Sequence, residues 1–267
     1  MYKYNGLVVH ESHDDDGIIE IIERNGVRSL HFGSSARQSS MQLDDADALV
    51  LDYLRAMNCW QLFKETPDTA LIIGLGGGSL ARYLLRHFPE CRLWVVEYRK
   101  SVVKIARSHF GLPFDNRLKI IVSDGGNYIR RRTDTLREKF SIIFVDAFDF
   151  DGMSPSLSNI AFFDACKAVL KPDGLLAINL WDTDKAYYAT CREWLNRAFD
   201  SKILFLPVCG RGNVIGFAFN DGTPHYPLAE LRIRAKRLEQ RHQIEFPKFL
   251  KELCRRNVLT LNFVIKK

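Results

Sequence analysis

Long apolar runs are missing from this 267-residue chain. No stretch approaches the roughly 18 residues a membrane helix needs, so no membrane span is expected. The N-terminus, MYKYNGLVVHESHDDDG, has no basic segment followed by an apolar one, so no secretory leader is read there. The six cysteines (Cys59, Cys91, Cys166, Cys191, Cys209 and Cys254) are scattered, and none forms a Cys-x-x-Cys pair. That argues against a zinc module or a disulfide framework, and reduced thiols in the cytoplasm are the expectation. The seven histidines share no ligand spacing on one element, so no metal is expected.

Acids are scarce at the C-terminal end. From 222 to 267, eleven Lys/Arg stand against four Glu, which gives +7 in a chain whose net charge is +6. A basic tail suits nucleic acid in principle. The segment LRIRAKRLEQ, however, sets Leu231, Ile233, Ala235 and Leu238 among its charges, the pattern of a packed amphipathic helix with a solvated face. Nucleic acid is therefore not the expected partner.

An apolar fraction of 46% supports a substantial core. The length suits one large domain, or one domain with an appendage. Residues 18–24 (IIEIIER) and 28–32 (RSLHF) flank Asn25-Gly26, a strong hairpin signal. Residues 44–63 have helical spacing in Leu49, Tyr53, Met57 and Trp60, with Asp44 or Asp45 as cap. From there the chain alternates. Strands are expected at 70–74, 93–97, 118–122, 141–146 and 175–180, and helices at 80–87, 100–110, 127–131 and 160–170. A helix at 184–198 and strands at 203–208 and 214–220 close the series. Alternation of this kind predicts a parallel sheet covered by helices. Three parts are expected: a β-hairpin and helix (1–63), a nucleoside-binding domain (64–221) and a basic helical extension (222–267).

The richest stretch is LIIGLGGGS at 71–79, followed 18 residues after Ser79 by Glu97 at the end of LWVVE. An apolar strand, a glycine turn, a helix and a strand ending in an acid form a nucleoside-binding β-α-β unit. Gly74, Gly76, Gly77 and Gly78 let the backbone approach a ligand, and Glu97 stands where a ribose can place two hydroxyls on one carboxylate. Asp124, with Gly125 after it, ends the next strand and suits an adenine amino group, which needs an acceptor. Each acid alone reads equally well as a helix cap; three at consecutive strand ends do not. Asp146 and Asp149, in VDAFDFDG, can line one wall of a pocket for a cationic substrate, and a carboxylate there can take the proton of an attacking amine. Trp181, just past a strand, can flank the same mouth.

The order of elements is similar to the Rossmann-like fold of class I adenosylmethionine-dependent transferases, a mostly parallel seven-stranded sheet with an antiparallel C-terminal strand. The sequence from about 17 to 220 further resembles the spermidine synthase (polyamine aminopropyltransferase) family. The resemblance lies in Gln38 after the hairpin, the glycine loop of Gly74 to Gly78, Glu97, Asp124-Gly125, Asp146 and Asp149, Phe162-Phe163 and the KPDG turn. It implies decarboxylated S-adenosylmethionine as donor, held at ribose by Glu97 and at adenine by Asp124. It implies Asp146 as the group acting on the amine, with Gln38, Asp149 and Tyr53 on the acceptor side. A small-molecule amine and a homodimer are the implied partners.

The family loop reads G-G-G-D-G, and its acid anchors the aminopropyl tail; here Gly77 takes that place. Intact S-adenosylmethionine carries a carboxylate at that end, which an acid repels and backbone N–H groups suit. A methyltransferase on the same fold therefore stays open, although the Asn/Asp-Pro-Pro-Tyr signature of amino-group methyltransferases is absent. A non-catalytic nucleoside-binding relative is the third alternative.

Overall fold

The computed structural model describes residues 1–149, 152–210 and 212–266, and the backbone alone of residues 148, 149, 152 and 153. The N-terminal part is a five-stranded antiparallel sheet in the order β1-β2-β3-β4-β5. Its strands are β1 (Tyr2–Lys3), β2 (Gly6–Asp14), β3 (Gly17–Arg24), β4 (Val27–His31) and β5 (Ser39–Gln42). The Asn25-Gly26 hairpin is its centre, both turn residues at positive φ (51° and 75°). The sheet is larger than the hairpin expected from sequence, because β2 alternates exposed and half-buried residues and carries little apolar signal.

Helix α1 (Asp52–Met57) runs into a 3-10 turn, Asn58–Leu62. It is shorter than the helix expected over 44–63. The Asp45 carboxylate accepts from the Asp47 N–H at 3.2 Å, a local turn that competes with helix, and the true N-cap, Leu51, has no side-chain bond.

The main sheet has seven strands in the order β13-β14-β12-β9-β6-β7-β8. In chain order its elements are β6 (Thr69–Ile73), α2 (Ser79–His87), β7 (Arg92–Glu97), α3 (Lys100–His109), β8 (Leu118–Val122), α4 (Gly125–Arg130) and β9 (Phe140–Val145). A short pair, β10 (Phe148–Asp149) and β11 (Gly152–Met153), precedes α5 (Ile160–Val169), β12 (Leu170–Trp181), α6 (Lys185–Ala198), β13 (Ile203–Pro207) and β14 (Asn213–Phe219). Only β14 runs antiparallel to its neighbours in this sheet. The KPDG turn falls within β12, where the ladder to β9 breaks register between Leu170 and Leu175. This is the transferase fold the order of elements implied.

One face of the sheet packs on α1, α2 and the C-terminal helices α7 (Leu228–His242) and α8 (Phe246–Arg256), through Trp60, Leu84, Phe217, Leu238 and Leu253. The other packs on α4, α5 and α6 through Ile129, Phe163 and Leu195. The N-terminal sheet closes on α3 through Ile19, Ile21, Val102 and Ile105. A last pair, β15 (Tyr226–Pro227) with β16 (Ile265–Lys266), ties the two ends of the extension together. The chain enters the main sheet at β6, extends one way to β7 and β8, then crosses back to β9. The crevice at the carboxyl ends of β6 and β9 is thus the topological switch point, where open α/β sheets bind ligands.

Candidate active site

Along the carboxyl ends of β9, β6, β7 and β8 stand, in spatial order, Asp146, the glycine loop, Glu97 and Asp124. Gly74 leaves β6 at φ +91°, and its N–H donates to the Val96 carbonyl at 2.9 Å. A Cβ there would lie 2.2 Å from the Asp146 carbonyl oxygen. Only glycine permits this approach, which draws the acid of β9 against the loop. Gly76 and Gly78 also have positive φ, and Gly78 is the N-cap of α2. Gln38 lies beside the loop, its carbonyl oxygen 3.6 Å from where a Cβ of Gly76 would be. Gly77 is closed in: a Cβ would meet Ser39 Oγ at 2.7 Å and the Phe110 ring at 2.8 Å.

Glu97 is buried and rigid. Its Oε2 accepts from the Leu75 N–H at 2.8 Å, and Oε1 from the Arg99 N–H at 2.9 Å. Arg99 is in turn held by Asp14 of β2, at 3.1 Å through Nε, and lies over the Phe32 ring at 4.5 Å. The N-terminal sheet therefore braces the end of β7 that carries Glu97. Asp124 caps α4 through the Asn127 N–H at 2.7 Å, and its other oxygen accepts from Ser156 Oγ at 2.7 Å. The capping reading of this acid is real, and both of its oxygens accept a bond. Gly125 serves close packing, since a Cβ there would lie 2.4 Å from Ile73 Cγ2.

Asp146 follows β9, its N–H donating to the Ile73 carbonyl at 2.9 Å. Tyr53 Oη donates to Oδ2 at 3.0 Å and Asn179 Nδ2 to Oδ1 at 3.0 Å. Burial pushes the carboxyl up from its ordinary range, and the two donors oppose that rise. The Tyr53 hydroxyl is pushed well up, by burial first and then by Asp146. The result is a half-buried carboxylate with a raised affinity for a proton, beside a tyrosine that stays protonated. Asp149 lies on β10, and its side chain is outside the described residues.

Sequence reasoning missed Asn179 and Asn213, which join Asp146 in one chain of bonds. The signal was an asparagine inside the apolar run LLAINL: a buried amide in a strand must have partners. No group of three or more His, Cys, Asp or Glu among the described residues could hold a metal.

The spermine/spermidine synthase domain is matched over residues 40–184. A polyamine aminopropyltransferase of Chromobacterium violaceum is 36% identical over 248 residues, covering 92% of this chain and 93% of its own. A probable spermidine synthase from Corynebacterium glutamicum superposes with a TM-score of 0.72 at 20% identity, covering 88% of this chain and 87% of that one. Human Methyltransferase-like protein 13, solved in complex with SAH, superposes with a TM-score of 0.66 at 26% identity, covering 72% of this chain and 93% of that one. With a domain match over more than half its length and a full-length relative at that identity, the chain belongs to the spermine/spermidine synthase family.

Proposed function

We propose that the chain moves an aminopropyl group from decarboxylated S-adenosylmethionine to a polyamine-type amine, releasing methylthioadenosine. As a member of its family it is a transferase. The observation that carries the reading is Asp146: a half-buried carboxylate, held by two donors, with its backbone against the glycine loop. The amine nitrogen forms a bond to the aminopropyl carbon as the carbon–sulfur bond breaks. The electron pair leaves with sulfur, whose positive charge is lost, and the surplus amine proton passes to Asp146. The sulfonium is the leaving group, so the protein supplies alignment and a base. Glu97 takes the ribose hydroxyls and Asp124 the adenine amino group. Gly74, Gly76, Gly77, Gly78 and Gly125 line the donor, and Gln38, Tyr53 and Asp149 the acceptor.

A second reading, methyl transfer from intact S-adenosylmethionine, is favoured by Gly77. The space an anchoring acid would need there is filled by Ser39 and Phe110, and the loop offers N–H groups to a carboxylate. Each donor is incubated with a panel of amines and the nucleoside product identified by mass spectrometry. Methylthioadenosine supports the first reading, and S-adenosylhomocysteine the second. Neither product from either donor, despite binding, leaves a non-catalytic relative.

The three-part division at 63/64 and 221/222 belongs to the same proposal, with the core as the donor-binding part. A homodimer is supported by Leu7 and Val9, exposed on β2, an edge largely uncovered by the two-residue β1. Sedimentation equilibrium is expected to give twice the 30.7 kDa chain mass. The cysteines form no disulfide with one another among the described residues, and a reducing cytoplasm is the compartment proposed. No helix among the described residues is long and apolar enough to cross a membrane.

A further inference from the structure

Asp146 is reached from two neighbouring strands beyond its own. The parallel pairing of β9 with β12 ends at Val145 and Ile178. The residues that follow, Asp146 and Asn179, therefore leave the two strands at the same level. On its other side β12 pairs with β14, Asn179 opposite Ile215 and Trp181 opposite Asn213. Side chains alternate along a strand, so Asn213, two residues before Ile215, stands diagonally from Asn179 on the same face. Asn213 Nδ2 donates to Asn179 Oδ1 at 3.0 Å, and Asn179 Nδ2 donates to Asp146 Oδ1 at 3.0 Å. Both asparagines are buried, at 3% and 4% exposure.

A side-chain amide has one accepting end and one donating end. Because Asn213 occupies the accepting end of Asn179, the donating end is turned to Asp146. The opposite rotamer would set oxygen against a carboxylate and NH2 against NH2, losing both bonds in a place without water to replace them. We propose that Asn213 is a positioning residue: acting through Asn179, it holds the Asp146 carboxylate in one orientation as the proton acceptor. The inference deepens the proposed function and rests on Asp146 as its base.

Among the described residues, other groups that face Asp146 are few. Tyr53 comes from α1 and is protonated; the glycine loop presents backbone through Gly74. The Asp149 side chain, three residues on, is outside the described residues. Burial raises the carboxyl, and the Asn179 bond lowers it. A loosened Asn179 should therefore let it rise further.

The test reads Asp146 directly. Protein labelled with 13C at aspartate carboxyls is titrated by NMR, and the Asp146 resonance is assigned by its loss in Asp146→Asn. Asn213→Ala is expected to raise the Asp146 pKa by about 0.5–1 unit, part of the roughly 1–2 units that loss of a whole hydrogen bond to the charge would give. In an Asn179→Ala background the same change is expected to have no effect, since the relay is already cut. An unmoved pKa in Asn213→Ala, or a rise that persists undiminished without Asn179, overturns the proposal. Asn213→Ser, which keeps a shorter donor, serves where the alanine variant does not fold, with a smaller rise expected and no rise counting against it. The readout needs no turnover. The expected rise with no methylthioadenosine from any amine upholds the relay and sinks aminopropyl transfer; methylthioadenosine with an unmoved pKa does the reverse.

Discussion

At the scale of single residues, the site rests on carboxylates whose surroundings give them different work. Glu97 is tied by two backbone N–H groups that fix its carboxylate at the end of β7. Asp146 is tied by side chains and half-buried. Asp146→Asn is expected to lower kcat by about 10²–10⁴, the range of a lost general base, while the dissociation constant for the donor changes less than threefold. Steady-state rates and calorimetry separate the two, and a parallel loss of donor binding would count against the assignment. The pH dependence has a definite sign. Asp146 accepts a proton only when ionised, so activity falls as pH drops through its raised pKa. Tyr53 donates to that carboxylate and lowers its pKa. Tyr53→Phe is expected to move the acidic limb of the kcat profile to higher pH by about half a unit to one unit. A limb that stays in place would mean that Tyr53 does not act on Asp146. The places of Asp146, Glu97 and Asp124 at strand ends were legible in the sequence, because each apolar run closes on an acid. Asn179 and Asn213 were not, because a single asparagine carries no pattern until its neighbours across the sheet are known.

At the scale of elements, helix α7 docks on α2, which starts at the glycine loop. His242 of α7 meets Tyr83 Oη of α2 at 2.8 Å, and its ring stands 4.8 Å from that of His87. Gln61 of the 3-10 turn donates to the same Tyr83 hydroxyl at 3.0 Å. Burial first, then His87 and Arg241, push His242 down to about 4. The unfolded chain, with His242 near its ordinary 6.5, binds the extra proton between these two values. Stability is therefore complete above pH 6.5 and falls as pH drops toward 4. Discounted for partial solvent access, the loss is about 1–2 kcal/mol. Urea unfolding at pH 7 and pH 4.5 checks it: His242→Gln is expected to shrink the difference, and an equal difference in both proteins would refute the assignment. Strands of the main sheet were read to within a few residues from their apolar runs. Helix 44–63 was not, because Asp45 diverts the chain into a turn that apolar spacing does not reveal.

At the scale of the whole molecule, the basic C-terminal segment is part of the core rather than an arm. Leu231, Ala235, Phe246, Leu250 and Leu253 are buried with the sheet. Asn257 pairs with the outermost strand, accepting from the Phe205 N–H at 2.7 Å and donating to the Phe205 carbonyl at 2.9 Å. The extension thus covers the edge of β13, which would otherwise invite another chain. A chain ending at residue 222 is expected to aggregate and to bind a hydrophobic dye; a soluble monomer with an unchanged melting point would contradict this role. The sequence by itself determined the alternation of strands and helices, the glycine loop and the acids that end the strands. These are local properties, set by periodicity and by the few residues that tolerate a tight turn. Only the tertiary structure decided that the N-terminal strands form a five-stranded sheet bracing Glu97 through Arg99, that Gly77 is closed by Ser39 and Phe110, and that Asn213 and Asn179 form a chain of bonds to Asp146. Each depends on contacts between segments far apart in the chain, and neither spacing nor composition carries them.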